Sequence, residues 1–377
     1  MKYDYLIVGA GLFGSIFAYE ANKIGKKVLV VDKRNHIGGN CYSEPFEDYH
    51  IHKYGPHIFH TSKKYVWDYI NKFAEFNNFT LRNKAFVNNK IYSLPINLST
   101  IHHVWNDVVT PSQAKERINS DKVLFENPQN FEEYCLSTMG KTLYEMFFYG
   151  YTKKQWGREP KLLPASIAKR IPLRFSLNDR YYSDDHVYEG IPIHGYTSIF
   201  EKLLSGIVVW LECDYIVNRD FLNSLAEKVI YTGPIDQYFN YMFGDLEYRT
   251  LKHSSYNTKI DIQGTALMTY PSEDFHFTRI IQHNYFYNSK SDEKVITYEY
   301  SKTFDKNIPN EDPYYPINDE INNEKYEKYR NFASVNCPNL LIGGRLGNYK
   351  YFDMDTTIEN ALQVVKQEFA GNLWKIK

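Results

Sequence analysis

The chain has 377 residues and a net charge of −1, enough length for two or three lobes around a large core and no global basic field to draw it to nucleic acid or an anionic membrane. Its four cysteines, Cys41, Cys135, Cys213 and Cys337, follow no C-x-x-C spacing, which speaks against a zinc site or a disulfide framework and for a reducing compartment. Aromatic residues make up 17% of the chain, with 34 tyrosines; most must pack, but each offers a stacking face and a hydroxyl to a base or a sugar. No run approaches about 20 apolar residues, and the first apolar segment is itself a strand of the fold, so a soluble cytoplasmic protein without a signal peptide is expected.

Tyr5–Val8 reads as a buried strand. It breaks into Gly9-Ala10-Gly11-Leu12-Phe13-Gly14, a G-x-G-x-x-G pattern, and then into a helix predicted over Ser15–Ile24. Gly9 allows the tight turn, Gly11 lets backbone N–H groups approach a pyrophosphate, and Gly14 lets helix and strand pack closely. The pyrophosphate then sits at a helix N-terminus, where free N–H groups and the macrodipole favour an anion. A second buried strand, Lys27–Val31, ends at Asp32, 18 residues after Gly14, where a carboxylate meets the ribose hydroxyls. The next segment, Lys33-Arg34-Asn35-His36-Ile37-Gly38-Gly39-Asn40, resembles the Arg-x-x-x-Gly-Gly extension of flavoproteins of the glutathione-reductase and amine-oxidase type. That extension, on an N-terminal fingerprint, favours FAD over NAD. A doubly wound domain with no nucleotide is the plainer alternative.

Ile51–Thr61 holds His52, His57 and His60, but the spacing fits no helix face and no Cys or carboxylate cluster joins them, so no metal is expected. A loop over the isoalloxazine ring is expected instead. Segment 64–76 predicts an amphipathic helix, and Phe79–Ile96 two strands around Asn88-Asn89. From Leu98 to Tyr149 the pattern is helical, with Pro111 at a first helical position, Thr110 as its cap, and apolar helical spacing over Phe131–Tyr149. Segment 160–190, with Pro160, Pro164 and Pro172, predicts a mobile crossing loop. Leu203–Leu211 and Val229–Thr232 read as strands, broken at Thr232-Gly233-Pro234; 260–302 alternates as strands, and Glu311–Asn318 is a Pro/Tyr loop. Leu340-Leu341-Ile342-Gly343-Gly344-Arg345 is a strand ending in glycines, and Asp353–Gln367 a helix whose N-terminus, near Asp353-Met354-Asp355, can face the flavin ring.

The expected fold class is α/β, mixed with α+β features, around a discontinuous Rossmann-like FAD-binding domain (1–75, 191–248 and 330–377). A helical insert lobe (98–165) with a mobile loop (166–182) and an antiparallel-sheet substrate lobe (76–97, 183–190 and 249–329) complete it. No internal repeat or low-complexity tract appears.

Further segments carry a specific likeness: Gly150-Tyr151-Thr152-Lys153-Lys154-Gln155-Trp156-Gly157, Lys169-Arg170-Ile171-Pro172, Tyr231-Thr232-Gly233-Pro234-Ile235-Asp236, Thr278-Arg279-Ile280-Ile281, Pro313-Tyr314-Tyr315-Pro316 and Gly343-Gly344-Arg345-Leu346. With Gly9–Gly14, Lys33–Asn40 and Ile51–Thr61, the sequence resembles the bacterial UDP-galactopyranose mutases nearly end to end. The resemblance implies reversible isomerisation of UDP-galactopyranose to UDP-galactofuranose with no net redox change. Reduced FAD is required: its N5 attacks the anomeric carbon, UDP leaves, and the flavin–sugar adduct opens through an iminium ion before the ring closes as furanose.

The same resemblance implies the site. Arg170 and Arg279 hold the diphosphate, as guanidinium forks match phosphate oxygens. Tyr151, with Phe147 or Phe148 one turn earlier, stacks on uracil, Thr152 adds a hydrogen bond, and Trp156 lies near nucleotide and sugar. Tyr181, Tyr314 and Tyr351 orient diphosphate and sugar; His60, Asn83, Thr269 and Asp353 are further substrate-side candidates. For FAD the candidates are Gly9, Gly11, Phe13, Gly14, Asp32, Lys33, Gly39, Asn40, His57, Ile58, Arg345, Tyr351, Phe352, Asp353, Met354 and Asp355. No protein general acid or base is expected. Thr269 stands where bacterial members commonly have Asn, and the Tyr300–Pro313 loop is slightly longer than usual, which leaves open a substrate such as UDP-N-acetylgalactosamine. By family analogy the protein is a homodimer, uses NAD(P)H or another reductant, and supplies galactofuranose for lipopolysaccharide O-antigen or capsule in the cell envelope. A flavin oxidoreductase of the amine-oxidase superfamily and a non-catalytic module like the GDP-dissociation inhibitors are the competing readings.

Overall fold

The computed structural model describes residues 2–169 and 171–370; Arg170 therefore lies outside the described residues. Two sheets organise the chain. The first is parallel and five-stranded, in the order Leu340–Ile342, Ala226–Tyr231, Tyr3–Val8, Val28–Val31 and Val208–Trp210. Its strands come from the start, middle and end of the chain, which is the discontinuity read from the sequence. Leu6, Ile7 and Leu29 to Val31 are fully buried, as a parallel sheet covered on both faces requires. The helices Leu12–Lys23 and Met354–Glu368 pack side by side over one face, and Tyr5, Phe17 and Phe369 meet between them with ring centroids 5.4 to 5.7 Å apart.

The second sheet has seven strands, in the order Tyr315–Pro316, Tyr248–Thr258, Lys294–Thr303, Arg279–Gln282, Leu267–Thr269, Lys84–Val87 and Lys90–Ser93. It is antiparallel apart from the pairing of Leu267–Thr269 with Lys84–Val87. Asn88 and Asn89 close the last hairpin with φ of 49° and 59°, the left-handed pair that a two-residue turn between twisted strands needs. Thr110 caps Pro111–Asp121 in a reciprocal capping box with Gln113, as the sequence predicts.

Several elements differ from expectation. The helix predicted over 64–76 ends at Ile70, and Ile51–Thr61 is two short strands, Tyr49–His52 and Phe59–Thr61, rather than loop throughout. The strand predicted over Leu203–Leu211 is only Val208–Trp210, because the helix Thr197–Leu203 takes the first position and Gly206, at φ +76°, reverses the chain. Val208 and Trp210 are exposed on that edge strand, which apolar content alone does not reveal. Phe131–Tyr149 is not one helix: Gly140, at φ +84°, splits it, and Glu145–Tyr149 is a widened π-type turn leading into the helix Gly150–Trp156. Such wide turns concentrate at functional sites. The 17-residue helix Glu320–Asn336, capped by Asp319, has no apolar stripe strong enough to announce it and runs unbroken across the expected boundary at 329/330. Among the described residues no helix is long and apolar enough to cross a membrane.

Candidate active site

The glycine turn is built as a dinucleotide cradle. Gly9 has φ +107°, and a Cβ there would lie 2.1 Å from Thr232 Oγ1; a Cβ on Gly14 would lie 2.1 Å from Gly9 O. Only hydrogen fits at either position, so helix and strand meet backbone to backbone. Gly11 is the N-cap of Leu12–Lys23 and brings no side-chain cap, leaving the first N–H groups for an anion. Gly39 crosses it so closely that its Cβ would come within 3.0 Å of Gly11 Cα. Asp32 braces the turn, accepting from Ala10 N–H at 2.8 Å and Arg34 N–H at 2.9 Å. These residues fit FAD: a shaped backbone groove, free N–H donors and a carboxylate at the end of the second strand.

A cleft of about 530 Å3 opens beside this cradle. Its floor carries Asn40, His57, Ile58, Arg345, Tyr351, Asp353 and Met354. Arg345 donates from Nε and Nη2 to Phe352 O at 3.0 and 2.6 Å, fixing the start of the helix Met354–Glu368, of which Asp353 is the N-cap. Its guanidinium lies 5.3 Å from the ring centroids of both Tyr315 and Tyr351, which stack at 5.1 Å. Burial holds His57 down to about 4, with Arg345 adding to the effect against a hydrogen bond to Gly55 O, which keeps the ring neutral on the cleft floor.

The remaining FAD candidates are placed by packing and ion pairs. Phe13 is buried against Gly343, where a Cβ would strike its ring at 2.0 Å. Asp355 is buried and accepts from Thr61 Oγ1 at 3.0 Å. Lys33 and Arg34 grip Asp312 at 2.5 and 2.7 Å, tying the 305–316 loop to the cradle.

One wall is the antiparallel sheet. Arg279 and Glu299 stand directly opposite in neighbouring strands, and the guanidinium clasps the carboxylate through Nε and Nη2, both at 2.7 Å. Glu299 is fully buried; burial would raise its pKa, but Arg279 and then His253 hold it down to about 2. Among the described residues Arg279 Nη1 has no hydrogen-bond partner, and the side chain lines the cleft. Next to it, Asn83 Nδ2 donates to Thr269 Oγ1 at 3.0 Å, while Asn83 Oδ1 is buried without a partner among the described residues.

The facing wall comes from the helical lobe: Phe147 and Phe148 in the wide turn, then Tyr151, Thr152, Gln155 and Trp156 on the helix Gly150–Trp156. Tyr181, Tyr182 and His186 also line the cleft, and Tyr314 is buried at the sheet end. His60 Nδ1 meets His186 Nδ1 at 2.7 Å under the stacked ring of Tyr182 at 3.5 Å, and burial lowers its pKa to about 4. All the substrate-side candidates among the described residues therefore line one cleft. The sequence reading missed Glu299, Gln155, Tyr182, His186 and Tyr315. Glu299 was findable as the cross-strand partner of Arg279 once the hairpin register is drawn; the others belong to segments with no chemical spacing of their own.

Comparison with known proteins decides the family. The sequence profile described as UDP-galactopyranose mutase matches residues 146–351, and that of an NAD(P)-binding Rossmann-like domain matches 7–73. The chain is 42% identical to a probable UDP-galactopyranose mutase of Klebsiella pneumoniae, over 97% of this chain and 94% of the relative. It belongs to the UDP-galactopyranose mutase family. That family is one of isomerases built on a flavin-binding fold. A relative from Escherichia coli named dTDP-fucopyranose mutase is 40% identical over 97% of this chain and 98% of its own. A crystal structure of reduced UDP-galactopyranose mutase superposes with a TM-score of 0.75 at 16% identity, covering 99% of this chain and 95% of that one. Putrescine oxidase bound to putrescine shares the fold at a TM-score of 0.57 and 10% identity, covering 98% and 99%.

Proposed function

We propose that the cleft interconverts UDP-galactopyranose and UDP-galactofuranose on reduced FAD held by the glycine cradle. The observation that carries this reading is the placement of Arg279, a largely buried cation lining one cleft together with the aromatic residues of Gly150–Trp156 and with Asn40 and Arg345, with one nitrogen left for an anion. Reduced FAD supplies the nucleophile for the anomeric carbon. The protein must hold UDP as it leaves and keep it in place until it returns. Arg279 does the first part: Glu299 fixes two of its nitrogens, so its fork is set before the diphosphate arrives. Arg170 is its partner across the diphosphate in this reading. Tyr151 and the wide turn at Phe147 and Phe148 take the uracil, with Thr152 and Trp156 beside it.

On the sugar side, the unpartnered Asn83 Oδ1 accepts a hydroxyl, since an acceptor beside Arg279 would repel a phosphate oxygen. Tyr181, Tyr314 and Tyr351 orient sugar and diphosphate. The neutral rings of His57 and His60 add no charge near the reacting carbon. The protein acts as a cytoplasmic homodimer whose flavin is reduced by NAD(P)H, and its product enters cell-surface polysaccharide.

The Escherichia coli relative favours a second reading, a dTDP-linked 6-deoxyhexose as substrate. Competition between UDP-galactofuranose and dTDP-fucofuranose on the reduced enzyme separates them. The first reading predicts a kcat/KM at least about tenfold higher for the UDP sugar, the scale of about 1.4 kcal/mol that one well-made polar contact supplies. The reverse preference transfers the site to the second reading.

A further inference from the structure

The helix Gly150–Trp156, which carries the aromatic wall, does not merely lie near the sheet; it is seated on one turn of it. That turn, residues 270–277, joins Leu267–Thr269 to Arg279–Gln282, whose paired ends are Thr269 and Arg279. At the start of the helix Gly150 touches the turn directly, since a Cβ there would lie 2.5 Å from Pro271 O. One helical turn later, Lys154 reaches into it. The Lys154 ammonium sits among the carbonyl oxygens of Tyr270, Ser272, Phe275 and Phe277 at 2.6, 2.7, 3.0 and 3.1 Å, its three N–H donors shared among the four. Lys153 adds an ion pair to Glu273 at 3.0 Å from the solvent side.

Lys154 forms no ion pair with a carboxylate among the described residues. Burial lowers its pKa to about 8, partly offset by Glu273 and Asp274. A half-buried cation satisfied by four backbone carbonyls is an uneconomical way to stabilise a surface turn, because an apolar side chain would avoid the desolvation. What the ammonium achieves is directional: it ties four carbonyls of the turn to a fixed point on the helix between Tyr151 and Trp156. The base wall and the Arg279 site then keep one separation.

We propose that Lys154 is a positioning residue that sets the span between the base-stacking helix and the Arg279 phosphate site, so that a nucleoside diphosphate engages both at once. This rests on the reading of the cleft as a UDP-sugar site. Lys154 touches neither half of the ligand and acts through the turn. The energetic consequence is that of any linked ligand: when both halves fit together the second contact is made at high effective concentration, and when the span is wrong that advantage is lost although each half-site survives.

The test is binding of three ligands, UDP, uridine and inorganic pyrophosphate, to the holoenzyme and to its Lys154→Met variant, by competition against a fluorescent UDP conjugate. The proposal predicts that UDP binding weakens by about tenfold or more while uridine and pyrophosphate each stay within about twofold. Equal loss for all three ligands, or no loss for UDP, overturns it. Wild-type protein that failed to bind UDP would overturn the functional reading and the span proposal together, whereas normal wild-type binding confines a failure to the span. Should the methionine variant fail to retain flavin, the same three affinities are measured on Lys154→Gln, which keeps an amide donor toward the turn. A selective loss of UDP binding there supports the span, and an equal loss or none overturns it.

Discussion

The glycine cradle and the Arg279 wall are each suited to a diphosphate in the proposed reading, but by different physical means. The cradle uses backbone: a helix start without a side-chain cap, two glycine positions that admit no Cβ, and Asp32 bracing the N–H of Ala10. Nothing in it needs to move, which suits a cofactor that stays. The wall uses side-chain charge: a guanidinium set by a buried carboxylate, with a lysine-bound turn behind it. Charge on a side chain can take up a leaving group and return it, which suits a nucleotide that departs during the reaction and must come back. The lesson is that permanence favours backbone dipoles and turnover favours paired ions.

That contrast can be broken at either end. The largest effect is expected at the cradle. Gly14→Val forces Cβ into Gly9 O, and the expected product is a protein that purifies colourless or aggregates, read by visible absorbance against protein content. At the wall the outcome should split instead. Arg279→Ala should lower kcat by about a thousandfold, the scale of a lost transition-state charge partner, while flavin content is retained. It should also lower stability by about 3 kcal/mol, since the buried Glu299 loses its bidentate cation and keeps only His253 and Thr278. The double variant Arg279→Met, Glu299→Gln should recover most of that stability and none of the activity, as chemical denaturation and turnover together would show.

A smaller effect comes from pH. Burial lowers His57 and His60 to about 4 and His283 to about 3. The unfolded chain protonates these rings near 6.5, so their stability is fully present above that pH and is lost as pH falls from about 6.5 toward 4, at about 1.4 kcal/mol per unit for each ring. Glu299 acts lower: its contribution holds above the ordinary carboxylate range and is lost as pH falls toward about 2. Melting temperature should therefore begin to drop between about pH 6.5 and 5, above the ordinary carboxylate range. A flat profile there would mean these histidines are solvated. The smallest effect is expected at a helix start that does not line the cleft, where Thr110→Ala removes a reciprocal cap. It should lower stability by about 1 kcal/mol and leave turnover unchanged.

The two regions also differ in how far they can be read from sequence. The cradle is contiguous: Gly9 to Gly14 and Asp32 stand at spacings that backbone geometry dictates, so strand, turn, helix and ligand class follow from local rules. The cleft wall is not. Asn83, Tyr151, Thr269 and Arg279 converge only through the sheet order, and without the family resemblance each would pass as an ordinary surface or core residue. Phe131–Tyr149 was legible as helical but not as interrupted, because Gly140 and the wide turn depend on packing against Asp121 and the cleft rather than on periodicity. Glu320–Asn336 escaped because its polar residues give no stripe, and Val208–Trp210 misled because an apolar edge strand looks like a buried one. Lys154 sat in plain view within Lys153-Lys154-Gln155-Trp156, yet its partners are carbonyls, which leave no mark in a sequence.

The most direct test of the proposed chemistry is anaerobic incubation of the purified flavoprotein with UDP-galactofuranose, with and without dithionite, followed by chromatography of the nucleotide sugars. Conversion to UDP-galactopyranose with dithionite and none without it is the predicted result. Conversion independent of flavin reduction, or no conversion while another metabolite bleaches the flavin, would contradict it.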